Sequence, residues 1–117
     1  MSCDMRWVRC IFATPDHEHE VTADVLIDRD QRVAAGLSYH GKWETSEDTY
    51  PVSFLSDGSV DYGSEYGGGQ ARYGAMRLHG QRVSENGYFE YTEHSRLFEL
   101  TITRVRDLAY ELECRRA

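Results

Sequence analysis

The residues of this chain best suited to chemistry are two histidines in the run Asp16-His17-Glu18-His19-Glu20. Residues two apart on a β-strand point to the same side of the sheet, so His17 and His19 could both reach one divalent metal ion. That arrangement would indicate a metal-dependent enzyme. The alternative interpretation is an exposed polar turn whose histidines are solvated.

The spacing of these histidines resembles the His-X-His motif of cupin-like metal barrels. In that family a glutamate follows a few residues later, and a distant histidine stands in a proline-glycine context. Here Asp24 is the nearest acid after Glu20, and neither His79 nor His94 has that context. No Gly-X-Ser-X-Gly motif and no protease-like cysteine context occurs, so the sequence favours a protein that is not an enzyme.

A second short motif, Gly41-Lys42-Trp43, resembles the Gly-X-Trp signature of lipocalin-like barrels. In those barrels the tryptophan closes the floor, so the resemblance implies a cavity for an apolar or aromatic ligand. The residues that would line it are Trp43, Phe54 and Tyr73. The alternative is a half-buried tryptophan in a polar loop over residues 41–49.

Charge is distributed unevenly along the sequence. The net charge is −7, and the acids concentrate in residues 1–71. Residues 43–71 carry six acids and no base, and a second acidic run extends from Asp16 to Asp30. A field of this sign repels phosphate backbones, which disfavours direct nucleic-acid binding. It favours a basic protein surface as partner, although solubility alone would also account for an acidic composition.

Tyrosines interleave with these acids beside the glycine-rich segment 63–69. Tyrosine is enriched at interface hot spots because it is large, stiff and polar at its tip. The sequence therefore predicts a non-enzymatic acidic binding module, an inhibitor or interaction protein without a cofactor, for a partner such as a nucleic-acid-binding protein. The predicted contact residues are Glu47, Asp48, Tyr50, Asp61, Tyr62, Glu65 and Tyr66.

The elements that must position these residues are short strands. Apolar residues alternate with polar ones, and turn signals such as Asp57-Gly58 and Asn86-Gly87 recur at short intervals. The pattern predicts a mainly β fold with little helix: one antiparallel barrel or small sandwich of about seven or eight strands, ending in a meander. The predicted strands include 5–13, 20–28, 32–40, 50–55, 71–79 and one strand on each side of Asn86-Gly87; a short helix is the alternative for 32–40.

Length and composition bound the remaining possibilities. A chain of 117 residues fits a single domain spanning 1–117. No apolar run is long enough for a membrane helix, no signal peptide is indicated, and three cysteines without metal spacing suggest a cytoplasmic protein. Twelve of the thirteen basic residues are arginine, which suggests a GC-rich bacterial or phage genome. Exposed edge strands would allow a homodimer.

Overall fold

The fold is described from a computed structural model, which covers residues 5–62, 72–93 and 96–108, with Arg72 and Tyr73 as backbone only. These residues form eight strands and essentially no helix. The strands are β1 (Arg6–Ala13), β2 (Glu20–Ile27), β3 (Tyr39–Glu44), β4 (Thr49–Phe54), β5 (Ser59–Asp61), β6 (Arg72–Met76), β7 (Tyr88–Glu93) and β8 (Arg96–Asp107).

Each strand pairs antiparallel with its neighbours in sequence, and β1 pairs with β8, so the sheet closes into a barrel. The predicted mainly β antiparallel fold is confirmed, as a barrel and not a sandwich. Closure gives every described strand two partners, although β4 pairs with β5 only through Ser53 and Phe54. The homodimer expected from exposed edge strands stays a prediction. No helix in the described part of the chain is long and apolar enough to cross a membrane.

Alternation of side chains across each strand builds the core. The inner positions of β1 and β2 are all buried: Val8, Cys10, Phe12, Val21, Ala23, Val25 and Ile27. Aromatic rings fill the middle of the barrel, where Phe12 meets Phe89 edge to face with centroids 5.2 Å apart. This packing surrounds the Cys10 sulfur, and its burial raises the pKa of the thiol to about 12.

Three local predictions were wrong. Residues 32–40 form neither the expected strand nor a helix, since β3 begins only at Tyr39 and Gly36 has φ +82°. The loop predicted around Trp43 is instead strand β3, with Trp43 buried. The strand expected before Asn86-Gly87 is reduced to one isolated bridge between Arg82 and Arg32.

Long loops close one end of the barrel, which we call the plugged end. Segments 28–38 and 77–87 hydrogen bond to each other, with Val33 N donating to Gln81 O at 2.9 Å and Gly80 N donating to Val33 O at 2.8 Å. The side chains of Val33, Leu78 and Val83 are buried beneath them. The opposite end carries the short β1–β2 and β3–β4 turns, at residues 14–19 and 45–48, and is described next.

Candidate functional site

The β2–β3 ladder brings the two acidic runs of the sequence together. Glu20 and Glu44 lie directly opposite each other on neighbouring strands, at the point where both strands meet their turns. Like charges in this position destabilise a sheet, so the pairing has a cost in the isolated protein. Lys42 offsets part of this charge, with Nζ 3.0 Å from Glu44 Oε1. Together with the turns, these residues form what we call the acidic rim: Asp16, Glu18, Glu20, Glu44, Glu47 and Asp48.

The β3–β4 turn leaves its carboxylates facing solvent. The hydroxyl of Thr45 accepts hydrogen bonds from the backbone N–H groups of Glu47 (3.2 Å) and Asp48 (3.0 Å), so this hydroxyl holds the turn. Glu47 and Asp48 are exposed, as the sequence predicted for partner-binding residues. Their charges are therefore available at the surface.

The β1–β2 turn uses one of its acids for structure. Asp16 Oδ1 accepts hydrogen bonds from the Thr14 hydroxyl at 2.6 Å and from the Glu18 N–H at 3.0 Å. These bonds, the one from Thr14 first, hold the pKa of Asp16 below its ordinary value. Asp16 thus stays charged at the rim while fixing the turn that presents Glu18.

The β1–β2 turn does not place His17 and His19 as the predicted metal site requires. His17 and His19 do not alternate on a strand, because β2 begins at Glu20 and His17 has a left-handed backbone with φ 60°. The Nδ1 of His19 already accepts a hydrogen bond from Trp43. The described residues contain no group of three or more metal-ligating side chains placed around a common point.

His19 is instead part of an aromatic stack. Its ring packs against Trp43 and Phe98, with centroids 5.5 Å and 5.0 Å apart, and the Trp43 indole N–H donates to His19 Nδ1 at 3.0 Å. On Phe98 lies the guanidinium of Arg96, 4.5 Å from the ring centroid. This stack packs the β1–β2 turn against the barrel interior.

Inside the rim, tyrosines and one carboxylate line the opening of the barrel. We call Tyr50, Tyr62, Tyr91 and Glu93 the mouth. The Tyr62 hydroxyl donates to Glu93 Oε2 at 2.8 Å, and the ring of Tyr50 meets that of Tyr62 edge to face at 5.9 Å. Glu93 and Tyr50 are half-buried, whereas Tyr62 is only 4% exposed. Inward alternation buries the ring of Tyr62, and its contact with a partner stays a prediction.

Glu93 has no cation partner among the described residues. Arg96 lies directly opposite it in the β7–β8 ladder, yet the guanidinium of Arg96 packs on Phe98 and forms no ion pair with Glu93. A half-buried carboxylate with a single hydroxyl donor is incompletely compensated for the water it has lost. Among the described side chains, the mouth therefore retains an unbalanced negative charge.

Tyr91 brings a second unsatisfied group to the mouth. Its side chain is fully buried, and its hydroxyl has no hydrogen-bond partner. The hydroxyl rests against Gly74, which is the residue directly opposite Glu93 in the β6–β7 ladder, so it reaches the level of Glu93. Burial first, and then the charges of Glu93 and Tyr50, raise the pKa of Tyr91 well above its ordinary range.

The interior beside the Gly-X-Trp motif is filled. A residue that lines a ligand-sized cavity keeps accessible surface, but Trp43 and Phe54 keep 2% and 1%. Gly41 has a packing role, since a Cβ there would collide with the Thr22 carbonyl oxygen and touch the Phe54 ring. Trp43 and Phe54 therefore line no ligand-sized cavity within the described part of the chain, and the side chain of Tyr73 lies outside it.

The other acids of residues 43–71 lie at the two ends of the barrel or outside the described residues; of these, Asp61 and Glu65 were predicted contacts and Asp57 was not. Asp61 is half-buried at the end of β5, on the rim side of the barrel. Asp57 belongs to the β4–β5 turn at the plugged end, where Oδ1 accepts from Ser59 N at 2.9 Å. Glu65 and Tyr66 lie outside the described residues.

An open groove leads away from the rim along the outside of β1, β2 and β3. Its volume is about 510 Å³, and Glu20 and Glu44 stand at its edge. On its wall Arg9 and Asp24 form a bidentate ion pair, with distances of 2.7 Å and 2.9 Å. The groove extends the rim into a longer surface of mixed charge.

Sequence reasoning missed Tyr91, Glu93, Arg96 and Phe98. The available signal was the alternation of side chains along a strand. By their positions in β7 and β8, these residues share the inner face with Phe89 and Leu100. A glutamate at an inner position of an otherwise apolar alternation marks a polar opening or a functional site. Searches of protein-family models, of curated proteins and of solved structures found nothing that matches this chain.

Proposed function

We propose that this protein is a non-enzymatic binding module whose acidic rim occupies a basic surface of another protein. The observation that carries the proposal is the direct opposition of Glu20 and Glu44 in the β2–β3 ladder. This opposition destabilises the free protein, and a partner that supplies cations between the two strands would remove the cost. The rim is therefore better explained as a binding surface than as a surface arranged for stability alone.

The geometry of the rim fits a protein partner with clustered lysines and arginines. The two turns lie side by side because β2 and β3 are paired, so their charges act as one patch. Charge of one sign concentrated at one end speeds encounter with an oppositely charged surface and orients it. A basic nucleic-acid-binding protein presents such a surface, and the rim would act as an inhibitor by covering it.

The test compares two variants with equal change in net charge. In the rim variant, Glu18, Glu20, Glu44 and Glu47 are each changed to glutamine. In the control, Asp30→Asn, Glu85→Gln, Glu90→Gln and Glu99→Gln remove the same number of charges from exposed positions away from the rim. Binding of heptalysine is measured by calorimetry over a series of salt concentrations.

We expect the rim variant to bind about tenfold more weakly at low salt and with a shallower salt dependence, because the oriented field is lost. The control variant should keep most of the parent affinity. Equal weakening in both variants would mean that only net charge matters, and the proposed function would be rejected.

A further inference from the structure

We infer that the mouth is a binding site for the guanidinium group of a partner arginine. The inference rests on the proposed function and specifies which side chain of the basic partner enters the barrel. Two groups at the mouth lack partners among the described residues: the half-buried Glu93 carboxylate has no cation, and the buried Tyr91 hydroxyl has no hydrogen bond. Both lie at one level of the barrel, because Tyr91 reaches to Gly74, opposite Glu93.

The chemistry of these groups selects a donor-rich cation. A carboxylate accepts hydrogen bonds at both oxygens, and Tyr62 uses one of those of Glu93 at 2.8 Å. The Tyr91 oxygen can accept a further bond. An arginine side chain offers five N–H donors and no acceptor, so it can satisfy the carboxylate and the hydroxyl together.

The rings at the mouth favour guanidinium over ammonium. A planar guanidinium stacks on aromatic faces, and its weaker hydration makes it easier to bury than a lysine ammonium. The protein already contains this contact next to the mouth, where Arg96 lies 4.5 Å from the Phe98 ring centroid. The half-buried ring of Tyr50, edge to face with Tyr62, provides the corresponding surface for an incoming side chain.

The rim would bring a basic segment to this opening. Glu44 is separated from Trp43 by one peptide bond, so the outward carboxylate and the inward ring belong to adjacent positions of β3. Long-range charge then attracts the basic segment of the partner to the rim, and the side chain of one arginine in that segment enters the mouth. In this arrangement the rim sets the rate of encounter and the mouth selects the residue type.

The experiment compares heptalysine with the same peptide carrying one central arginine. The two peptides have equal charge, so the rim alone does not distinguish them. Trp43, whose ring centroid lies 4.6 Å from that of Tyr91, reports binding by fluorescence once the exposed Trp7 is changed to phenylalanine. We expect the arginine peptide to bind about tenfold more tightly, because a stacked bidentate contact replaces a point charge.

Glu93→Gln is the decisive variant, and Glu90→Gln, on the outer face of the same strand, is its control. Glu93→Gln should abolish the preference for arginine, so that the two peptides bind with equal affinity, whereas Glu90→Gln should retain the preference. Tyr91→Phe removes the unpartnered hydroxyl without creating a cavity and should reduce the preference severalfold. This second variant also gives a result if Glu93→Gln fails to fold.

Two results would overturn the inference: equal affinity of the parent for the two peptides, or an arginine preference that survives both Glu93→Gln and Tyr91→Phe. Neither result bears on the proposed function of the rim, which is tested separately by the binding of heptalysine to the rim variant. If the rim variant lost heptalysine binding and the parent showed no preference for arginine, the proposed function would be supported. The mouth would then be rejected as a guanidinium site.

Discussion

The indole N–H of Trp43 donates a hydrogen bond of 3.0 Å to Nδ1 of His19 and so joins strand β3 to the β1–β2 turn. Because the indole nitrogen is only a donor, Nδ1 must act as the acceptor, and this assigns the ring proton of neutral His19 to Nε2. The contact also buries the one polar atom of the Trp43 side chain, whose ring is 2% exposed. A single hydrogen bond thus connects a rim turn with the interior of the mouth.

Replacing His19 by phenylalanine should destabilise the protein by about 1–3 kcal/mol, because it leaves the buried Trp43 N–H without an acceptor. The ring packing against Phe98 would largely remain, since phenylalanine is also aromatic. Urea unfolding measures the effect. In a Trp43→Phe background the same substitution should cost clearly less, and an equal cost in both backgrounds would show that the hydrogen bond contributes nothing.

Asp16 should make the β1–β2 turn sensitive to acid. Its pKa is lowered in the folded state, mainly by the hydrogen bond from Thr14. A depressed carboxyl pKa contributes stability above the unfolded value of about 3.9, and this contribution is lost as the pH falls through the lower folded value. Asp16→Asn should therefore flatten the dependence of the urea midpoint on pH below about 4.

The supporting measurement is the carboxyl titration of Asp16 by NMR. In the parent protein its midpoint should lie below the ordinary aspartate value, and Thr14→Ala should move it upward because the hydrogen bond that lowers the pKa most is removed. An unchanged midpoint in Thr14→Ala would assign the shift to some other group.

Gly41→Ala should be strongly destabilising, by about 3 kcal/mol, because the new methyl group would overlap the Thr22 carbonyl oxygen and press on Phe54. Gly80 provides the matched control. Its φ of +77° is unfavourable for alanine but nothing lies within 4 Å of its Cβ position, so Gly80→Ala should cost only about 1 kcal/mol. Denaturant unfolding of both variants tests the difference, and similar costs would show that β3 can move away from Thr22.

The same glycine explains why β3 escaped sequence-based prediction. Strands β1 and β2 could be predicted because every inner position holds an apolar side chain. In β3 the inner positions are Tyr39, Gly41 and Trp43, so the glycine interrupts the apolar alternation and suggests a loop. Only the barrel shows that Phe54 fills the space that the missing side chain leaves.

The mouth could not be predicted for a different reason. Tyr62 and Glu93 are 31 residues apart and meet only because the sheet closes through β5, β6 and β7. The rim was partly predictable, since Glu47 and Asp48 are exposed turn residues as expected. That Glu20 would face Glu44 depends on the register of β2 with β3, which no local pattern determines.

Cys10 should react only when the barrel opens. Its sulfur is completely buried and its pKa is raised to about 12, so almost no thiolate forms at neutral pH. In a protein with Cys3→Ser and Cys114→Ser, iodoacetamide should label Cys10 at a rate that follows unfolding as urea is added. Fast labelling of the folded protein at pH 8 would show that the barrel opens locally between β1 and its neighbours.

Tyr91→Phe should raise the stability of the protein and weaken its binding of the arginine peptide. The substitution removes a buried hydroxyl that has no partner, so the free energy of unfolding should rise by up to about 1 kcal/mol. The same variant should bind the arginine peptide less well, because the mouth loses an acceptor. A gain in stability together with a loss of arginine preference is the signature of a group kept for a ligand.

Gly74 allows an independent test of the position of the Tyr91 hydroxyl. A Cβ at Gly74 would collide with the Tyr91 hydroxyl and ring and with the Thr92 carbonyl oxygen, so Gly74→Ala should destabilise the parent protein by about 1–3 kcal/mol. Removing the hydroxyl opens part of that space, and Gly74→Ala should therefore cost measurably less in the Tyr91→Phe background. A double-mutant cycle by urea unfolding gives the coupling energy. Zero coupling would place the hydroxyl away from Gly74, and hence away from Glu93, which would remove the juxtaposition on which the guanidinium site depends.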